Sequence, residues 1–370
     1  MSKDFAVSNK EPMIRISKRD TISKAKAWRI RLIAVVLSLI VCALVIVAIT
    51  HQNPVKVYLG IVDGAIGSKR RIWVTIRDAL TLLIIAVGLT PAFKMKFWNI
   101  GAEGQILMGG IATAAVMIYL GDAMPNWLLL IVIIGVSALA GLIWGLLPAI
   151  FKAYYNTNET LFTLMLNYVA IQLVNFCIVF WENPSGSNTV GIINPATKAG
   201  WFPQVFGTNY GLNIIIVLVM TFGMYIYMKY SKQGYEIAVV GESQFTARYA
   251  GIHVNKVILR TMMISGAICG IAGTIIVSGA SHTISTSTAG GRGFTAIIVA
   301  WMSKFNPIAM ILVSAFLVFM QQGSIQIASQ FGLNENASDI ITGIILFFLI
   351  GCEFFISYQL DFRKIKKGVK

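Results

Sequence analysis

Acidic residues are scarce in this chain of 370 residues: Asp and Glu together number 15, and all charged residues make up only 12%. A soluble domain carries about 25%, so a large water-exposed globule is excluded. Histidine occurs three times, at His51, His253 and His282. Each falls in a loop or near the end of an apolar stretch, without a metal-ligating partner at helical spacing. That removes the usual basis for a metal-dependent or hydrolytic centre, and a membrane-embedded enzyme has no candidate site. The four cysteines (Cys42, Cys177, Cys269, Cys352) stand far apart in apolar stretches. They match no metal-ligand pattern and argue against a disulfide framework; they read as small apolar packing residues. The 33 glycines include none that heads a G-x-x-x-x-G-K-[ST] loop, so the chain has no such phosphate cradle of its own. If ATP drives this protein, another subunit binds it.

What is present is apolar and runs long. Hydrophobic residues make up 56% of the chain, and no charge occurs from Leu32 to Thr50. About 20 apolar residues suffice to cross a hydrocarbon core as a helix. The pattern predicts an all-α, polytopic transmembrane helical bundle of about ten segments, near 30–50, 74–92, 98–120, 127–150, 160–181, 212–230, 259–280, 293–303, 306–327 and 338–357. The third and eighth are the least regular, and the eighth is too short to span as a straight helix. The first segment follows about 30 residues of basic tail and precedes His51-Gln-Asn-Pro54, which offers no A-x-A cleavage site. It reads as an uncleaved first span.

The net charge of +15 does not require a nucleic-acid partner, because Lys and Arg gather on the cytoplasmic side of membrane proteins. With both termini inside, 23 of the 30 Lys and Arg lie in the cytoplasm, and the chain is expected to be N-in and C-in. Seven stay outside: Lys56, Lys69, Arg70, Arg71, Arg77, Lys198 and Arg292. The run Lys69–Arg71 is an exception, placed on an external amphipathic segment. Three regions follow: a basic cytoplasmic tail (1–29), a transmembrane domain (30–357) and a second basic cytoplasmic tail (358–370). Residues 182–211, rich in Gly, Pro, Asn and Ser, form an external loop. Residues 229–260 form a cytoplasmic segment of mixed charge.

Three stretches carry polar chemistry. The first is Phe97-Trp-Asn-Ile-Gly-Ala-Glu-Gly-Gln105. A charge at mid-bilayer costs about 2.5–3.5 kcal/mol on insertion scales, so Glu103 with Asn99 and Gln105 faces a cavity or a partner if it is buried. Gly101 and Gly104 permit a broken backbone, which membranes accept only where it lines protein or water. The alternative is an interfacial turn after Lys94 and Lys96 with Glu103 in water. The second is Asn156-Thr-Asn-Glu-Thr160, leading to Asn167. Thr157 capping a helix with Glu159 in its first turn explains it; a solute contact by Asn158 or Glu159 is the sharper reading, and Asn167, deeper in the span, bonds another helix or a substrate. The third is 234–256, where Phe245, Tyr249 and Ile252 share one face of a short helix. That face docks on a partner or lies in the lipid interface. Separately, Gly141-x-x-x-Gly145 and Gly266-x-x-x-Gly270 fit close helix approach.

Taken in order, these stretches resemble the permease subunits of ATP-binding-cassette importers, in the branch that serves branched-chain amino acids, simple sugars and nucleosides. Asn99-Ile-Gly-Ala-Glu-Gly-Gln105 is similar to that branch's signature. Asn158-Glu159 with Thr163-Leu-Met-Leu-Asn-Tyr168 resembles its N-E-x-x-x-T-x-M-L-N-Y stretch. Gly234, Gly241 and Ala247-Arg-Tyr-Ala-Gly-Ile252 resemble its coupling segment, and Gly293-Phe-Thr-Ala-Ile297 with Asn306-Pro307 its late pattern. The likeness covers roughly residues 75–357. Two departures stand out: Trp98 precedes Asn99, and Trp301-Met-Ser-Lys304 is more polar than the pattern.

The resemblance implies a transport subunit without catalytic residues, metal or cofactor, in a bacterial cell membrane. It implies a second, homologous permease, a cytoplasmic ATP-binding subunit, an external substrate-binding lipoprotein and surrounding lipid. Nucleosides are the expected solute and simple sugars the alternative. The expected pathway residues are Asn99, Glu103, Gln105, Asn158, Glu159 and Asn167. The expected ATPase-coupling residues are Ser243, Gln244, Phe245, Ala247, Arg248, Tyr249 and Gly251. An ion-driven secondary transporter is a rival and needs intramembrane acids, for which Glu103, Glu159, Asp339 and Glu353 are the candidates. A purely structural subunit is another.

Overall fold

The computed structural model describes residues 14–19, 22–50, 53–205, 207–332 and 335–362. Most of the basic tails, and the side chain of Asp339, lie outside the described residues. The elements run β1 (Ile14–Lys18), α1 (Lys24–Thr50), α2 (Pro54–Ile66), α3 (Lys69–Lys94), α4 (Ala102–Leu120), α5 (Asn126–Tyr155), α6 (Glu159–Trp181) and α7 (Gly211–Tyr230). There follow α8 (Lys232–Glu242), α9 (Gln244–Tyr249), α10 (Val254–Ile276) with a π-helical turn (Val277–Ser281), α11 (Arg292–Met302), α12 (Pro307–Gln330), α13 (Glu335–Ser357) and β2 (Tyr358–Phe362). The all-α polytopic architecture holds. Among the described residues nine helices are long and apolar enough to cross a membrane, and α11 is a shorter apolar helix. Together they account for the ten expected segments.

Two compact units arise. The first comprises the described residues up to Ile61 and from Ser324 onward. Here α1 packs on α13, and Arg31 donates from Nε and Nη2 to Oε1 of Glu353 at 3.1 and 2.6 Å. Glu353 is therefore a paired acid. β1 and β2 pair antiparallel, with Ile16 opposite Leu360, which brings the start of α1 and the end of α13 to the same side.

The second unit runs from Val62 to Gly323, and α10 is its axis. This helix packs against α5, α4 and α3 and is the most buried of the spans. Lipid offers no hydrophobic drive between helices, so close approach of small residues must supply the packing. The two glycine pairs face each other across α5 and α10. A Cβ on Gly266 would overlap the carbonyl oxygen of Gly141, and one on Gly270 that of Ser137. Beside this contact a buried hydroxyl chain ties three helices: Thr113 Oγ1 lies 2.9 Å from Thr274 Oγ1, which donates to Ser137 Oγ at 2.6 Å.

Local chemistry sets the helix ends. Ser68, Asn158, Ser231 and Ser243 are N-caps whose side chains accept backbone N–H bonds. The cap of α6 is thus Asn158, not Thr157. Asn156 closes α5 in the left-handed region, at φ 51°. The run Lys69–Arg71 opens α3, with Arg71 paired to Asp63 of α2.

Candidate functional site

The signature stretch is a buried, broken connection between α3 and α4. Helix α3 ends in a 6→1 closure, with Phe97 N–H donating to Ala92 O at 3.0 Å and Lys96 left-handed at φ 59°. Asn99, fully buried, then pins the turn. Its Oδ1 accepts from Gly101 N–H (3.0 Å) and Gln105 Nε2 (3.3 Å), and its Nδ2 donates to Ser265 Oγ of α10 at 3.3 Å. Helix α6 holds the same segment from the other side. Asn167 Oδ1 accepts from Gly104 N–H at 2.9 Å, and its Nδ2 donates to Ile100 O at 2.9 Å. Thr163 Oγ1 accepts from Ile100 N–H at 3.2 Å. Backbone groups left open by the break are therefore satisfied inside protein, as a membrane requires.

Glu103 is buried as well, which removes the alternative of a water-exposed interfacial turn. Its Oε1 accepts from Gly293 N–H at 2.8 Å. Gly293 lies in the first turn of α11, where unsatisfied N–H groups favour a carboxylate. Glu103 thus caps α11 from α4. Asn99 and Gln105 bond to each other, Glu103 reaches to α11, and Asn167 holds the backbone of the α3–α4 turn. Asn158 and Glu159 lie apart from it: Asn158 caps α6 through Thr160 and Leu161 N–H (3.0 and 3.2 Å), and Glu159 pairs with Lys152 at 2.9 Å.

The segment 231–252 has two faces. Ile237, Val240 and Ala247 are buried against Ala92, Met95 and Phe97 at the α3–α4 turn, and a Cβ on Gly241 would overlap the Lys94 carbonyl. Ile252 packs on this inner cluster rather than joining Phe245 and Tyr249 as the helical pattern indicated. Phe245 and Tyr249 are 69% and 80% exposed, with ring centroids 4.8 Å apart, and Arg248 is exposed beside them. Ser243 caps α9, Gln244 starts it, and Gly251 closes it at φ 76°. An apolar inner face and a protruding aromatic–cationic outer face sit on the turn that holds Asn99.

A second polar group lies within the span region of the same unit. Arg77 and Asp78 of α3 pair through two bonds, Nε–Oδ1 at 2.9 Å and Nη2–Oδ2 at 3.1 Å. Gln322 of α12 donates to Asp78 Oδ2 at 2.7 Å. Arg292 Nη2 stands 3.7 Å from Asp78 Oδ1. Arg77, Asp78 and Arg292 border a cavity of about 230 Å³ that also takes in Ser285, Ser287 and Thr288.

The family profile for the permease component of branched-chain amino acid transport systems matches residues 72–350. The chain belongs to this permease family. It is a multi-pass cell-membrane protein and a transport subunit. Among its relatives, the guanosine ABC transporter permease protein of Bacillus subtilis is 29% identical over 91% of this chain and 96% of its own length. A second guanosine permease protein of that bacterium is 25% identical over 68% of this chain and 80% of its own length. The nucleoside ABC transporter permease protein of Lactococcus lactis is 25% identical over 94% and 96% of the two chains. A glucose ABC transporter permease protein of Haloferax volcanii is 24% identical over 96% and 95%.

For a permease of this family the two sequence departures find a common explanation. Trp98 and Trp301 stack on each other at 5.6 Å between centroids, with Phe93 and Phe305 edge-on to the pair. The α11–α12 turn repeats the α3–α4 closure, with Phe305 N–H donating to Ala300 O at 3.0 Å after a left-handed Lys304. Sequence reasoning missed the Arg77–Asp78–Arg292 group. The charge count puts Arg77, within the segment 74–92, and Arg292 on the external side; Arg77 lies inside α3 and Arg292 opens α11. An Arg–Asp pair inside an otherwise apolar helix was the available signal.

Proposed function

We propose that this chain is one permease of an ABC importer, forming a translocation pathway for nucleosides with a second, homologous permease. The observation that carries the reading is α9: an anchored helix whose exposed Phe245, Arg248 and Tyr249 have no covering partner among the described residues, on a chain without a phosphate loop. A separate cytoplasmic ATP-binding subunit docks there. The presence of two similar guanosine permease proteins in one bacterium supports pairing with a related chain. A substrate-binding lipoprotein delivers solute from outside. The pairing of β1 with β2 supports one side for the start of α1 and the end of α13, and the excess of Lys and Arg in the tails favours the cytoplasm as that side.

The mechanism follows from the packing. Movement of α8–α9 on ATP binding reaches the α3–α4 turn through Ile237, Val240 and Met95. That turn is stapled by Asn99, Gln105 and Asn167 to α10 and α6, and Glu103 transmits its displacement to α11. These four residues hold and move the wall of the pathway, while Asn158 and Glu159 fix the start of α6 beside it. Simple sugars are the second reading, favoured by the glucose permease relative. The test is ATP-driven uptake by the assembled complex with labelled nucleosides and sugars in competition. Uptake inhibited by nucleosides and not by sugars is expected; the reverse selects the second reading.

A further inference from the structure

We propose that the cavity bounded by α3, the segment 281–288 and Arg292 binds the transported solute, with Arg292 engaging hydrogen-bond acceptors on the base and the serine and threonine hydroxyls engaging the ribose. This rests on the nucleoside reading above. Depth is the first argument. At about 1.5 Å per residue, Asp78 stands about 14 Å from the Lys69 end of α3 and about 24 Å from its Lys94 end. Arg292 stands about 16 Å from the Ser303 end of α11 by the same measure. Asp78 thus lies inside a helix long and apolar enough to span, and Arg292 opens a short apolar helix packed on it; ionisable side chains in such segments mark solute or ion paths. The backbone there is irregular, with the π-helical turn and with Gly290 and Gly291 at φ 58° and 74°. Irregular backbone at that depth is accepted where it lines a cavity.

Charge and bonding then narrow the ligand. Asp78 already accepts from Arg77 twice and from Gln322 once, so its carboxylate has little left for a cation. Arg292 is under-used: its contacts, Nη1 to Thr288 O at 3.4 Å and Nη2 to Asp78 Oδ1 at 3.7 Å, are longer than well-formed bonds. Its planar fork has donors to spare and suits a ligand with two adjacent acceptors. A phosphate is disfavoured, because the helix N-terminus that would receive it is occupied by the Glu103 carboxylate. The hydroxyls of Ser287 and Thr288 lie 3.1 and 3.4 Å from Ser285 Oγ, and each of the three both donates and accepts, as sugar hydroxyls require. A volume of about 230 Å³ falls just below the roughly 300–1,000 Å³ of drug-sized sites, which fits a small solute. A neutral nucleoside meets all of these conditions.

The test uses the whole importer in proteoliposomes, with ATP-driven uptake of guanosine, 7-deazaguanosine and 2′-deoxyguanosine. Arg292→Gln is expected to lower guanosine uptake at least about tenfold, the scale for losing a charged hydrogen bond, and to bring the guanosine-to-7-deazaguanosine ratio toward one. Arg292→Lys keeps the charge near Asp78 and loses the fork. It is expected not to restore that ratio, whereas a merely structural role would be rescued. Ser287→Ala, at an exposed position, is expected to shrink the guanosine-to-2′-deoxyguanosine ratio while the complex assembles normally. Wild-type uptake and unchanged ratios in Arg292→Gln and Ser287→Ala would overturn the site. If the wild type carries sugars and no nucleoside, the nucleoside reading fails, and with it the base contact assigned to Arg292. The cavity itself then stands only if Arg292→Gln and Ser287→Ala impair sugar uptake.

Discussion

Glu103→Ala and Glu103→Gln separate two roles for the same acid. The carboxylate Oε1 takes the Gly293 N–H at 2.8 Å in a buried setting. Alanine leaves that N–H without a partner, at about 1–3 kcal/mol for an orphaned buried donor. It also removes the charge at the helix N-terminus, worth about 0.3–2 kcal/mol. The two together give a loss of roughly 1–5 kcal/mol. Glutamine keeps an acceptor oxygen at the same reach and forfeits only the charge, so its loss is about 0.3–2 kcal/mol. Hydrogen exchange of the purified complex is the assay, because α11 is short and its N-terminus is held locally. Amides at 293–296 are expected to exchange fastest in Glu103→Ala, intermediate in Glu103→Gln and slowest in the wild type, with α5 amides unchanged. Equal protection in Glu103→Ala and wild type would refute the capping role. So would a Glu103→Gln as damaging as Glu103→Ala.

Gly270→Val places a side chain against the Ser137 carbonyl and is expected to cost about 1–3 kcal/mol or more by overpacking, read as a lower melting temperature in detergent; Gly343→Val on α13, where a Cβ meets nothing within 4 Å, is expected to be silent. Arg248→Glu is expected to leave membrane insertion intact and to abolish solute-coupled ATP hydrolysis, and normal uptake by such a complex counts against docking at α9. His282, which stacks on Trp201 at 3.7 Å and has a buried, unpartnered Nδ1, is held below its ordinary pKa by burial. The unfolded imidazole titrates near 6.5 and the folded one lower. The contribution is therefore fully present above about pH 6.5 and is lost as pH falls through the folded value. After correction for the intrinsic pH dependence of exchange, amides at 193–201 are expected to be less protected at pH 5 than at pH 7.5, an effect that His282→Phe removes.

Much of the bundle was legible because lipid imposes simple rules on sequence. Apolar runs located the spans, the short eighth segment emerged as α11, and the glycine pairs found each other across α5 and α10. The charge count gives Arg77 and Arg292 a side of the membrane but no partner. Asp78, which neutralises Arg77 within α3, is adjacent in sequence, but Gln322 and Arg292 reach it only through the fold. Glu103 was recognised as unusual from its glycine brackets, yet its partner is the Gly293 N–H, 190 residues away. Backbone donors leave no mark in a pattern of side chains. The strand pairing of β1 with β2 was likewise unreadable, because its two halves sit at opposite ends of the chain.

The central claim is that this chain forms half of an ATP-powered nucleoside pathway. The most direct measurement is uptake of labelled guanosine into proteoliposomes, comparing the complex copurified with its partners against this chain alone. The account predicts accumulation that requires ATP, the external binding protein and the ATP-binding subunit, with none from the chain alone. Accumulation by the chain alone, driven by a proton or sodium gradient without ATP, would contradict it.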